Sequence, residues 1–181
     1  MRLTLRTFFW IAACLAVLAG LSLLGGLRSY QVFTREELVA VVRCQAPARG
    51  SADEFLLEFT PAIRNGQGDP RRFPMRGDQW AVGGEILKWH PWLNWLGFRS
   101  CHKLTRINSR YLKVESEIRS PRSAYELNGG TDRLWRLLYR VGRFIPFVEA
   151  VYGNATYVMA QPGTQWGVYV TLSGYLVKPL R

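Results

Sequence analysis

One uninterrupted apolar run, residues 8–27, constrains this chain more than any other feature. As a helix with a rise of 1.5 Å per residue it is roughly 30 Å long, the thickness of a bilayer's hydrocarbon core. The run has no charged residue and no proline, and its only polar side chains are Ser22 and Cys14. It predicts a membrane-spanning helix that divides the chain into a tail at 1–7, an anchor at 8–27, a juxtamembrane linker at 28–36 and a folded domain at 37–181.

The charges on either side of the run predict its orientation. The tail carries two arginines and the amino terminus but no acidic residue, whereas Arg28 and Arg35 on the far side are followed at once by two glutamates. Lysine and arginine close to a span favour the cytoplasmic side. We therefore expect the amino terminus inside a bacterial inner membrane and the folded domain in the periplasm.

Two other N-terminal signals share part of this pattern. A cleaved signal peptide has an apolar core of about 7–15 residues and a small-residue cleavage site, for which Gly20–Ser22 is the candidate. The apolar run continues beyond that site, which favours an uncleaved anchor. Ile11–Cys14 is similar to a lipoprotein processing box, but a lipoprotein turns polar after its cysteine and this chain stays apolar.

Charge and composition limit the classes of partner. The net charge is +11, and beyond Arg28 twenty-one cationic residues face thirteen acidic ones, a balance of +8. Such a surface attracts nucleic acid, anionic lipid or acidic protein, and an exported domain seldom meets nucleic acid. We expect no nucleic-acid partner, a contact with anionic lipid or with a membrane protein, and, as the alternative, arginines that are merely solvated.

Short apolar stretches separated by tight turns predict the fold of the domain. Alternation with a period of two is clearest at 166–177, and Gly83-Gly84 predicts a bulge in the strand at 79–89. The pattern predicts an α+β fold, an antiparallel β-rich domain built as a sheet or partial barrel with one late amphipathic helix. The predicted strands are 38–42, 55–59, 71–75, 79–89, 102–107, 111–115, 148–152, 156–159 and 166–177.

The late helix is predicted over residues 131–145. Thr131 is a suitable N-cap, and Pro146 ends the helix. Leu134, Leu137, Leu138, Val141, Phe144 and Ile145 share a face that we expect to pack on the core. A second face is a candidate contact for phospholipid headgroups or an acidic partner, the alternative being arginines that are solvated or paired. It consists of Arg133, Arg136, Arg140 and Arg143.

Tryptophans are concentrated just before the middle of the chain. Trp89, Trp92 and Trp95 surround Pro91, and a short helical turn is predicted at 92–97. Tryptophan prefers sites with one apolar and one wet side, such as bilayer interfaces and protein contacts. The loop is a candidate contact with the bilayer or with a partner's groove. The alternative is that the tryptophans belong to the core and cap the open end of the sheet.

Cysteine and histidine usage carries little chemistry. Cys44 and Cys101 lie outside the anchor and can form a disulfide in an oxidising compartment, the alternative being two buried free thiols. The only histidines are His90 and His102, and no metal-binding spacing, phosphate-binding loop or nucleophile motif accompanies them. We expect a non-enzymatic protein that uses no cofactor and no metal.

Four segments, in the same order along most of the chain, resemble a group of small single-span proteobacterial envelope proteins: Arg76–Trp80, Lys88–Gly97, Ser109–Tyr111 and Tyr152–Tyr157. Members of that group often carry the label of a cation or multidrug efflux pump. Pumps of that kind have many spans and a substrate pathway through the membrane, which one span cannot form. The resemblance therefore implies a bacterial, anchored protein with an accessory role.

These patterns lead to one favoured function and two alternatives. The favoured function is an accessory subunit or assembly factor of a membrane-protein complex, working through the tryptophan loop and the arginine face. The first alternative is a module that binds a lipid or apolar ligand inside a curled antiparallel sheet. An enzyme of unknown class is the second.

Overall fold

The computed structural model describes residues 5–47, 54–63 and 66–180. Its first element is a long helix, α1 (Leu5–Phe33). The stretch Thr7–Val32 is long and apolar enough to cross a membrane, and none of its most apolar window is buried against the rest of the protein. The helix is therefore not a core helix. It also continues through most of the expected linker, because no proline or glycine interrupts it between Arg28 and Phe33.

Within the described residues, ten strands form two antiparallel sheets. The first sheet has the order β10-β9-β1-β2-β4, with the short β3 also paired to β2, and the second has the order β7-β6-β5-β8. This confirms the α+β class, a long apolar helix followed by an antiparallel β-rich domain and a later helix. The strands are β1 (Glu37–Gln45), β2 (Glu54–Ile63), β3 (Gly66–Gln67), β4 (Arg71–Arg76), β5 (Gln79–Trp89), β6 (Cys101–Arg110), β7 (Ala124–Glu126), β8 (Val148–Met159), β9 (Gln165–Val170) and β10 (Tyr175–Pro179).

The core lies between the two sheets. Burial in β2 alternates with a period of two, since one face meets the core and the other meets solvent. By contrast, β5 is buried along almost its whole length, because a helix covers its second face. Large side chains from both sheets fill the interior, among them Leu57, Phe59, Trp80, Ile86 and Ile107.

Three helices and one 3-10 turn complete the domain. They are α2 (Pro91–Trp95), α3 (Val114–Arg119), α4 (Arg133–Val141) and the 3-10 turn Gly142–Phe144. Of these, α4 lies over β5 and β8. The predicted strand at 79–89 and the helical turn after Pro91 are confirmed, and the strand register shifts at Gly83/Gly84, where the bulge was expected.

The predicted strands 102–107 and 111–115 leave a turn at Asn108–Arg110, and that turn is wrong. β6 runs straight through those residues because Asn108 pairs with Ala81 on one side and Ala124 on the other. The predicted strand at 111–115 is replaced by α3, whose first turn carries two glutamates that suit the positive end of a helix.

Two further strand boundaries differ from the sequence-based expectation. The predicted strands 148–152 and 156–159 are one strand, β8, because the residues between them stay paired with β5. The predicted strand at 166–177 is a hairpin of β9 and β10. Its turn includes Gly174 at φ 142°, a conformation that favours glycine.

Candidate functional site

The tryptophan loop is held by its buried residues and exposes the others. Trp89 is half-buried, and its Nε1 donates a hydrogen bond to the Arg99 carbonyl at 2.7 Å. By contrast, Trp92 is 51% exposed and Trp95 is 46% exposed. The alternative that the tryptophans belong to the core therefore holds only in part for Trp89 and does not hold for Trp92 or Trp95. What the exposed pair contacts stays a prediction.

The short helix α2 packs beside the end of α1. Leu93 and Asn94 are its buried residues, and Asn94 Nδ2 donates to the Trp89 carbonyl at 3.2 Å. A Cβ added at Gly97 would lie 3.7 Å from Nη2 of Arg28 in α1. The tryptophan loop therefore lies at the end of the domain next to the point where the apolar run of α1 ends.

A second exposed apolar segment adjoins this loop. Phe144 and Phe147 are both exposed, and the Phe147 carbonyl accepts a hydrogen bond from the His90 amide at 2.9 Å. The rings of Trp89 and Phe147 lie 6.3 Å apart. Together these exposed side chains form what we call the aromatic shelf, which consists of Trp92, Trp95, Leu96, Phe98, Phe144 and Phe147.

The arginine face of α4 is exposed as the sequence suggests. Arg133, Arg136 and Arg140 are exposed and form no ion pair with any described residue. Arg143 lies in the 3-10 turn, with its guanidinium 4.7 Å from the ring centroid of Phe144. Among the described residues, pairing with acids therefore does not account for these cations.

The apolar face of α4 does not pack on the core as expected. Leu134 is 61% exposed and Leu137 is 53% exposed, whereas Trp135 is buried. Trp135 is the buried residue of α4, and Gly142, seven residues later in the chain, lies against β8. Gly142 allows this approach, since a Cβ there would meet Val151 Cγ2 at 3.0 Å. The expected core face is therefore wrong for Leu134, Leu137 and Phe144.

Asp132, and not Thr131, caps α4. Its carboxylate accepts a hydrogen bond from the Trp135 amide and forms an ion pair with Lys103 at 2.9 Å. These bonds hold the pKa of Asp132 below its usual range, the hydrogen bond from Lys103 being the largest cause. Thr131 instead serves a second cluster, described next.

A buried carboxylate fastens α4 to the sheet. Glu85 is 8% exposed and points from β5 towards the helix, where Thr131 Oγ1 donates to Oε1 at 2.7 Å and the Tyr139 hydroxyl donates to Oε2. Burial and then the hydrogen bond to this carboxylate raise the pKa of Tyr139 well above its ordinary value. The one sequence signal for this role is a lone acid within the apolar stretch 80–87.

The cysteines do not form the disulfide that the sequence allowed, since both are free thiols. Cys101 is exposed and opens β6 near the start of β1, where Arg99 pairs with Glu37. Cys44 is buried in β1, seven residues after Glu37, which is about 23 Å at the usual strand rise. Bridged cysteines have Cα atoms only 4.4–6.8 Å apart. Burial raises the pKa of Cys44 to about 11. The alternative of two buried thiols holds for Cys44 alone.

A cleft that no sequence pattern predicts lies between α1 and the domain. It encloses about 320 Å³. Its charged residues are Arg28, Arg35, Glu37 and Arg99, and its other residues come from α1, the segment after α2 and the turn between β9 and β10. No sequence signal points to it, because four separate parts of the chain contribute to its walls.

The described residues contain no group of three or more His, Cys, Asp or Glu side chains arranged to hold a metal ion. The chain matches no protein-family model, no curated protein and no solved structure. Its function is therefore inferred from the geometry of these surfaces alone.

Proposed function

We propose that this protein is a non-enzymatic accessory subunit or assembly factor of a membrane-protein complex. In this proposal α1 anchors it in a bacterial inner membrane with the amino terminus inside, and the domain lies on the periplasmic surface of the bilayer. One observation carries the proposal: the aromatic shelf lies at the same end of the domain as the end of α1.

The position of Arg28 relates the shelf to the membrane. Arg28 directly follows the apolar run, so in a membrane it lies at the depth of the headgroups. Because α2 packs beside this residue, Trp92 and Trp95 lie at the depth that tryptophan prefers. Only Thr34–Glu36 separate α1 from β1, and three residues span about 10 Å at most. The domain therefore stays at the bilayer surface.

The arginine face of α4 is the surface that we assign to the partner. Arginine is favoured at protein contacts because its planar guanidinium binds carboxylates through two hydrogen bonds. Exposed Leu134 and Leu137 lie next to these cations and add apolar area. Since α4 leads into the aromatic shelf through Phe144, the partner that fits is a protein of the same membrane with an acidic surface close to the bilayer.

An acyl chain bound between the sheets receives less support. Trp80, Phe59 and Leu57 are fully buried there and fill the interior with their side chains. A lipid contact at the cleft beside α1 is a different matter, because that cleft is open and cationic. This cleft is the second candidate, a site for lipid binding.

Charge reversal on α4 tests the proposal. The variant Arg136→Glu/Arg140→Glu is compared with Lys113→Glu/Arg119→Glu, which reverses two exposed cations at the ends of α3, one just before the helix and one at its last residue. Neither forms an ion pair with described residues. Both variants change the net charge equally. Native membranes are solubilised in mild detergent, and the protein is followed on native gels and by crosslinking.

We expect the wild type and the α3 variant to migrate in a large complex. The α4 variant is expected to lose that complex about tenfold or more while it stays in the membrane fraction, as for hot-spot arginines. Equal losses in both variants would contradict the assignment of the partner surface. A wild type that migrates only as a monomer at every expression level would contradict the accessory function itself.

A further inference from the structure

The cleft beside α1 has a defined depth relative to the membrane and an excess of positive charge. Its walls come from the end of α1, the start of β1, Asn94 of α2 with the segment 97–100, and the end of β9 with the turn that follows it. Arg28 lies at its edge directly after the apolar run, so the cleft opens at headgroup depth when α1 spans a membrane. Any bilayer lipid beside α1 then places its phosphate near this opening.

The charges of the cleft favour an anion. Arg28 and Arg35 form no ion pair with any described residue, and Arg99 pairs with Glu37 at 3.2 Å. Three guanidiniums and one carboxylate leave a charge of +2 among these residues. The carbonyl end of α1 adds about half a negative charge, which does not cancel it. Two free guanidiniums suit the oxygens of a phosphate, which accept paired hydrogen bonds.

A buried polar group in the cleft wall needs a hydrogen-bond donor. Asn94 is 1% exposed, and its Nδ2 is used by the Trp89 carbonyl, but its Oδ1 accepts no hydrogen bond from the described residues. The nearby hydroxyl of Ser100 is also buried without a partner. A buried acceptor without a partner destabilises the protein, so a ligand that carries a donor gains from binding here.

We infer that this cleft binds the headgroup of one anionic glycerophospholipid, with its phosphate on Arg28 and Arg35 and a headgroup hydroxyl near Asn94. The net charge of +2 favours an anionic head over a zwitterionic one. The inference rests on the proposed placement of α1 in a membrane. It goes beyond the partner surface on α4, which lies on other residues.

The test uses the full-length protein in nanodiscs. The discs contain phosphatidylcholine with either phosphatidylglycerol or phosphatidylethanolamine as a minor component, and lipids retained after release from the disc are counted by native mass spectrometry. Wild type is compared with Arg28→Gln/Arg35→Gln, and the matched control is Lys113→Gln/Arg119→Gln, at two exposed cations beside α3. All four residues are exposed, so neither double variant removes a core contact.

We expect wild type and the α3 control to retain one phosphatidylglycerol and no phosphatidylethanolamine. The cleft variant is expected to lose that lipid about tenfold or more, since each guanidinium–phosphate contact contributes on the order of 1 kcal/mol. Equal losses in the two double variants would overturn the site, because they would show general attraction of anionic lipid. Displacement of the lipid by inorganic phosphate at millimolar concentration would also overturn it in favour of a free-phosphate site.

The two proposals fail separately. If the α4 charge reversal leaves the native complex intact while phosphatidylglycerol binding depends on Arg28 and Arg35, the partner surface on α4 is wrong and the lipid site stands. If the wild type is a monomer in native membranes but still retains the lipid, the accessory function is wrong and the lipid site stands. If the complex depends on α4 and the lipid count does not change in the cleft variant, the lipid site is wrong and the partner surface stands.

Discussion

The tryptophan loop and α4 both present exposed apolar side chains, but they are attached to the sandwich in different ways. The loop continues β5 and is held to the domain by Trp89, Leu93 and Asn94. The exposed side chains of Trp92 and Trp95 do not hold it in place. The helix lies across the outer face of the second sheet. Trp135 is its one buried side chain, and the Glu85 carboxylate binds the helix through Tyr139.

This difference separates a fixed surface from a detachable one. The aromatic shelf keeps its place as long as β5 and β8 are paired, because its residues directly follow or precede those strands. The place of α4 depends on a few side chains, and elements with few buried contacts open locally at lower free energy than the core. Three substitutions probe this contrast, from the largest expected effect to the smallest.

Replacing Trp135 by alanine is expected to have the largest effect. It removes the one buried side chain of α4, and such truncations cost about 3–5 kcal/mol. The loss should appear as fast amide hydrogen exchange throughout α4 while β5 and β8 stay protected, with the free energy of unfolding measured in urea alongside. Leu137→Ala is the matched control, since exposed positions change stability by about 0.5 kcal/mol or less. Exchange that rises equally in β5 and α4 would contradict a detachable helix.

Replacing Glu85 by alanine is expected to have an intermediate effect of about 1–3 kcal/mol, because the Tyr139 and Thr131 hydroxyls lose their acceptor. Glu85→Gln keeps one acceptor and should cost less. An ultraviolet titration supplies a second measurement. The pKa of Tyr139 should fall without the carboxylate but stay above its ordinary value, since burial is the larger cause of its rise.

The same tyrosine predicts a dependence of stability on alkaline pH. Folded Tyr139 keeps its proton to higher pH than an unfolded tyrosine, whose pKa is about 10. Stability is therefore fully present below about pH 10 and is lost as the pH rises from there towards the folded pKa. This loss should be smaller in Glu85→Ala than in the wild type, because the carboxylate contributes to the raised pKa of both Tyr139 and Tyr175. An equal loss in both proteins would show that the carboxylate acts on neither tyrosine.

Replacing Trp92 and Trp95 by alanine is expected to have the smallest effect on stability, about 0.5 kcal/mol or less, because both side chains are exposed. Its effect should instead appear in the membrane. In a Trp10→Phe background, brominated lipids should quench the fluorescence of the parent protein and quench the double variant clearly less. Quenching that is the same in both would place the loop away from the bilayer.

Strong local signals made part of this structure predictable from sequence. The strand at 79–89 was found with both ends and its Gly83/Gly84 bulge, because its apolar run is long and Pro91 stops it. The predicted strand at 166–177 failed, since the alternation of side chains does not show where a chain reverses. The reversal depends on Gly174, whose positive φ is invisible to that pattern.

The packing side of α4 and the cleft beside α1 are even harder to predict from the sequence than the strands. A helical wheel groups Leu134 and Leu137 correctly, but it does not tell which side of the helix packs. Gly142 contributes to this choice, because the lack of a side chain lets the turn after α4 approach Val151. The cleft beside α1 is harder still, because Arg28, Asn94 and Arg99 come together only through the tertiary fold.

The short connection between α1 and β1 has a mechanical consequence. β1 is the middle strand of its sheet and is hydrogen-bonded along its length to both β2 and β9. A force that pulls α1 along its axis, such as membrane extraction by a protease or a moving partner, therefore reaches β1 through three residues. The component of that force along β1 loads two hydrogen-bonded ladders in shear, where the bonds resist together and do not open one after another. The helix and the fold would then yield in one step.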